Sequence, residues 1–135
     1  MSWRESLIKI ANHEVDTLQK RLTEVMDRRE AAEMRIAVHD AEVLSELAQA
    51  DRQPHLAFSR AAYLGGMKNR REGLEADVQA IAMEEAGARD ALAQAFESQK
   101  KFEHVAELAR LTRVKADADR ETAAMDEIGL RASRR

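Results

Sequence analysis

The stretch "AQADRQPHLAFSRAAYLGGMK", residues 48–68, holds the only proline of the chain and its only Gly-Gly pair. On both sides the sequence reads as uninterrupted helix, so the point at which the chain reverses here decides the fold. Pro54 has no N–H to donate, and its ring pushes Gln53 out of the helical region. It does suit the first turn of a following helix. The competing position is Gly65-Gly66. A proline inside a helix costs about 3 kcal/mol and a glycine about 1, so a turn at "DRQP" (51–54) with two helical glycines is the cheaper arrangement. The reading is an all-α fold, an antiparallel two-helix coiled-coil hairpin forming a single domain. It has one helix over about 3–51, a turn over about 52–55, and a longer second helix over about 56–131.

Steps of three and four along the first helix pick out Ile8, Ala11, Val15, Leu18, Leu22, Val25, Arg29, Ala32, Ile36, His39, Val43, Glu46 and Ala50, ten of them apolar. A stripe that recurs every 3.5 residues keeps one face turned to a supercoiling partner. Arg29, His39 and Glu46 interrupt it. The second helix carries a matching stripe at Met67, Arg71, Leu74, Val78, Ile81, Glu85, Ala88, Leu92, Ala95, Gln99, Phe102, Ala106 and Ala109, ten of them apolar. With a turn near residue 53, positions whose numbers add to about 107 face each other, for example Val15 and Leu92.

Beyond residue 109 the phase slips. The apolar positions become Leu111, Val114, Ala118, Met125 and Ile128, as when a helix acquires a different neighbour. The first helix has by then run out of chain. Residues 106–132 are therefore expected to project with an apolar stripe that has no partner in the same chain, and such a helix is marginal in water. At a rise of about 1.5 Å per residue, the paired part would span about 70 Å and the projection about 40 Å.

Composition agrees. Charged residues make up 35% of the 135, aromatics only 4%, with 5 glycines and 1 proline. A seam one side chain deep needs no aromatic bulk, and so thin a chain encloses no catalytic pocket. No cysteine is present, so disulfide and thiol chemistry are excluded. The opening "MSWRESLIKIANHEVD" is charged throughout, unlike a signal peptide. No run approaches the roughly 18 apolar residues of a membrane span, which suits a reducing cytosol. Residues 1–52 hold 8 Lys+Arg against 11 Asp+Glu, and the remainder 14 of each, so neither part is a polycation seeking phosphate.

Site chemistry is sparse. None of His13, His39, His55 and His104 has the spacing of a di-iron or zinc-protease helix. His39 reads as a polar interruption of the seam. "KNRR" (68–71) and the closing "RASRR" are short basic clusters that read as a solvated helix face and a frayed tail. No basic region precedes a zipper, and Glu84-Glu85 point to different helix faces. The expectation is a non-enzymatic chain with no cofactor, metal, nucleic acid or small-molecule ligand.

Four segments in order, "HEVDTLQKRL" (13–22), "AAYLGGM" (61–67), "FESQKKFEHV" (96–105) and "ETAAMDEIGLRASRR" (121–135), resemble the FliJ family of flagellar export proteins. The resemblance extends over almost the whole chain. It implies a coiled-coil stalk similar to that of rotary ATPases, whose paired termini enter the hexameric ring of the flagellar export ATPase. The same stalk would contact the membrane-embedded export gate and the substrate chaperones, in the cytoplasm against the inner membrane. Carried over, Met125, Asp126 and Glu127 fall in the ATPase-binding segment, which with the unpartnered stripe adds Leu111, Val114 and Ala118. Tyr63 and Met67 fall on the face that looks towards the gate. Near the tip this chain offers His39, Glu42 and Glu46, where relatives present a more apolar or aromatic face. Two other readings fit the same pattern: the stalk of a virulence injectisome, and a coiled-coil scaffold that self-associates through the unpartnered stripe.

Overall fold

The computed structural model of the protein describes residues 2–53 and 57–134. These residues form two helices and no strand: α1, Trp3–Asp51, of 49 residues, and α2, Ala57–Ser133, of 77. The fold is all-α with the second helix longer, as the sequence predicts. Pro54, to which the reversal was assigned, lies outside the described residues. Gly65 and Gly66 lie inside α2, and no described glycine has a positive φ, so the Gly-Gly pair does not turn the chain.

Side chains define the start of α1. The Ser2 hydroxyl accepts from the Glu5 amide at 3.2 Å, while the Ser2 amide donates to Glu5 Oε2 at 3.3 Å. This reciprocal capping box satisfies donors that the first turn cannot. At its other end α1 tightens, with Arg52 and Gln53 donating to the carbonyls three residues back at 3.1 Å. The last turn of α2 carries Arg131, a cation suited to the negative end of the helix dipole.

The chain divides into two compact units. The first is Thr17–Ala93. Its helical segments run antiparallel, because Arg28 pairs with Glu84, Asp40 with Arg71 and Asp51 with Arg60. Val25, Ala32, His39 and Glu85 are buried along the seam, and Leu18, Leu22, Ile36, Leu74, Val78, Ile81 and Leu92 are half-buried. Val25 is the one large side chain with essentially no exposure among the described residues. Its core is thus a single line of side chains, each worth about 1.5–3 kcal/mol only when fully covered.

The second unit joins Met1–Asp16 to Gln94–Arg135. Ala11, Val15 and Ala95 are buried in it, and Asn12 accepts a 2.7 Å hydrogen bond from the Gln99 amide group. Arg4 and Glu5 share a shallow groove with Ala109 and Arg113, so these segments are antiparallel too. Every described residue from Arg110 onward is exposed.

The register departs from the expected one. Asn12 and Gln99, Asp40 and Arg71, and Asp51 and Arg60 all have numbers that add to 111, and Arg29 and Glu85 add to 114, against the expected 107. Apolar periodicity alone leaves this open, since a stripe that steps by three and four brings apolar positions level again after a shift of only three or four residues. The polar seam positions carry the missing information. Glu46 is exposed, and the neighbouring Leu47 is half-buried in its place.

Candidate partner-binding surfaces

The tail of α2 stays helical through Ser133 while burying nothing. Leu111, Val114, Met125 and Ile128 are each about half or more exposed, from 49% to 69%, and Ala118, Asp126 and Glu127 are exposed as well. At about 100° per residue, the line through Leu111, Val114, Ala118, Met125 and Ile128 is rotated by roughly 130° from the seam line through Phe102, Ala106 and Ala109. Continuing the seam instead leads to Arg113, Ala116, Arg120, Ala123 and Glu127. The phase slip is thus a change of face: the side that α1 would have covered becomes polar, and the apolar side turns away from it.

Among the described residues, three ion pairs run along the helix in this tail. Arg110 forks onto Glu107 at 2.7 and 3.0 Å and holds its carboxyl below the usual carboxylate range. Arg131 reaches Glu127 at 2.8 Å, and Arg120 pairs with Asp117. Thr112 and Thr122 donate to the carbonyls of Leu108 and Ala118. Exposed pairs three or four apart stabilise a helix by only a few tenths of a kcal/mol each. They keep the tail helical and leave its apolar line uncovered.

The other candidate residues lie in Thr17–Ala93, and the structure places them in separate grooves. Tyr63 is half-buried beside Glu46, Ala50, Arg52 and Arg60. The nearby Glu46 carboxylate, first, raises the pKa of the Tyr63 hydroxyl, as do partial burial and the negative charge of Glu42. Met67 lines a different groove of about 450 Å³, with Val43, Leu44 and Leu64 as its apolar wall, His39 at its base and Lys68 at its rim. Tyr63 and Met67, four residues apart on α2, thus each line a groove of their own.

Leu44 is 70% exposed beside this groove. Trp3 and Ile10, both more than 60% exposed, were missed because they sit off the 3.5-residue stripe. Apolar residues outside the seam were the available signal. Among the described residues, no cluster of three or more His, Asp or Glu side chains could hold a metal ion, and no helix is long and apolar enough to cross a membrane.

Antiparallel helical segments with a thin apolar seam and an exposed tail define a helical-hairpin protein. No protein-family model matches the chain, and no solved structure matches it. Two curated relatives do: the flagellar FliJ proteins of two strains of Caulobacter vibrioides, each 47% identical over 129 residues, covering 96% of this chain and 93% of the relative. The chain belongs to the flagellar FliJ family.

Proposed function

We propose that this chain is a non-catalytic stalk component of the flagellar protein export apparatus that binds the export ATPase ring through the tail of α2. Leu111, Val114, Ala118 and Met125 would supply the apolar contact, and Asp126 and Glu127 its charge. The observation that carries this reading is the tail itself: a continuous helix whose apolar line faces solvent on the side away from the seam. Leu111, Val114, Met125 and Ile128, at about 1.5–3 kcal/mol each, offset the cost of ordering the tail only if a partner covers most of them. In the same reading Tyr63 and Met67 contact the membrane export gate, by way of their two separate grooves. Substrate chaperones are further partners, and the site of action is the cytoplasmic face of the inner membrane.

The test is ATP hydrolysis by the cognate flagellar export ATPase with and without the purified chain. Stimulation is expected, with loss in Leu111→Ser/Met125→Ser and in Asp126→Lys/Glu127→Lys while helicity by circular dichroism is unchanged. Unaltered ring binding by both double variants sinks the assignment. Dissociation of an oligomer of the chain alone by Leu111→Ser/Met125→Ser, with no effect on the ATPase, favours the self-associating scaffold.

A further inference from the structure

Arg29 and Glu85 are the charged residues that interrupt the seams of α1 and α2 in the middle of Thr17–Ala93, and they meet. Arg29 Nε donates to Glu85 Oε2 at 2.6 Å, and Glu85 is only 8% exposed. Arg89 donates to the other Glu85 oxygen at 2.9 Å, and Arg29 NH1 to Glu33 at 2.9 Å. Arg89 first and Arg29 second hold the Glu85 carboxyl below its usual range, against the opposing effect of burial. Around this cluster the seam is Val25, Ala32, Ile36, Val78, Ile81 and Ala88, apolar residues that would fit equally well if one helix slid by a heptad.

We propose that the Arg29–Glu85 pair is a register lock, kept for the single alignment it enforces and not for the stability it adds. A slide of seven residues in either direction sets Arg29 against Val78 or Leu92, and Glu85 against Leu22 or Ile36. Each charge then loses its cross-helix partner within an apolar seam, which is far costlier than never having the charges there. The neighbouring Glu84 does not discriminate in this way. It now binds Arg21 at 2.7 Å and Arg28 at 2.9 Å, and after a slide it would still meet Arg21 or Arg35. Asp40 and Arg71 match in one register as well, but both are 42% exposed and so weakly specifying. The lock is therefore assigned to the less exposed pair, whose side chains are 26% and 11% exposed for Arg29 and Glu85. It does not depend on what binds the tail, so it stands or falls apart from the stalk reading.

The chain has no cysteine, so intramolecular cross-linking reports register cleanly. Cysteines at Ala32 and Ile81 lie at one level in the observed alignment; those at Ala32 and Leu74, or at Ala32 and Ala88, come level only after a slide of one heptad. In the otherwise unchanged chain, disulfide formation is expected in the 32/81 pair alone. In Arg29→Leu/Glu85→Leu, the melting temperature should be unchanged or higher, and the 32/74 and 32/88 pairs should cross-link at about the same yield as 32/81. Each single substitution should melt lower than the double. A double variant that cross-links only through 32/81 overturns the proposal, because the apolar seam then specifies register unaided. A double variant that melts well below the original chain overturns it too, by making the pair a stabiliser instead of a selector.

Discussion

His39 is 2% exposed on the seam of α1, and its Nε2 is the one buried side-chain polar atom without a hydrogen-bond partner among the described residues. Its other nitrogen has only a 3.4 Å contact with Asp40. Leaving a polar group buried and unpaired costs about 1–3 kcal/mol. His39→Leu fits the same seam position, and the Asp40–Arg71 pair survives it. We expect the variant to be more stable by about 1 kcal/mol, read as a shifted urea midpoint at unchanged slope. A loss of stability would mean that the imidazole is satisfied in solution. Two carboxylates of Thr17–Ala93 bear on its acid limit. Asp40 is held below its ordinary 3.8 first by hydrogen bonding to Arg71, and Glu85 below its ordinary 4.5 first by Arg89. A depressed folded-state pKa contributes stability that is present above the unfolded value and lost as pH falls through the folded one. The melting temperature should therefore fall as pH drops below about 4.5, and Asp40→Asn/Glu85→Gln should flatten that fall while lowering the neutral-pH plateau. An acid limb of unchanged steepness in the double variant would place the responsible carboxylates elsewhere.

The helices themselves were legible to different depths. Every position of the second stripe, from Met67 to Ala109, is buried or half-buried, and on α1 only Glu46 fails. A 3.5-residue period reports directly which face is covered, so this part needed no tertiary knowledge. Register did, because a periodic seam looks the same one heptad along; the interruptions Arg29 and Glu85, which read as weaknesses, turn out to be partners. The candidate sites were legible only as segments. The pattern marked the tail's apolar line, but it could not show that Tyr63 and Met67, four residues apart on one helix, open onto different grooves. Gly65 and Gly66 supply a test at this scale. Both are helical, and a Cβ built on either meets nothing within 4 Å. Gly65→Ala/Gly66→Ala should thus gain about 1 kcal/mol per site from helix propensity alone. Destabilisation instead would show that these residues leave the helix in solution.

At the scale of the whole chain, stability is distributed unevenly, and function is proposed where it is lowest. Thr17–Ala93 has seam burial and cross-helix ion pairs, whereas residues 110–134 are exposed and their ion pairs run along their own helix. A helix stabilised only by exposed neighbours three and four apart opens with little cost, while one packed on a seam opens only with its unit. In hydrogen exchange of the full chain, amides of residues 112–133 should exchange orders of magnitude faster than those of residues 70–92. Adding the export ATPase with nucleotide should slow the tail amides selectively, since a partner that covers Leu111, Val114, Met125 and Ile128 holds the helix closed by mass action. The pattern of protection then identifies the covered surface without any substitution. If the tail is already protected in the free chain, its apolar line is covered by a second copy. Protection that fades on dilution, together with a sedimentation mass that halves, would then move the assignment from stalk to self-associating scaffold.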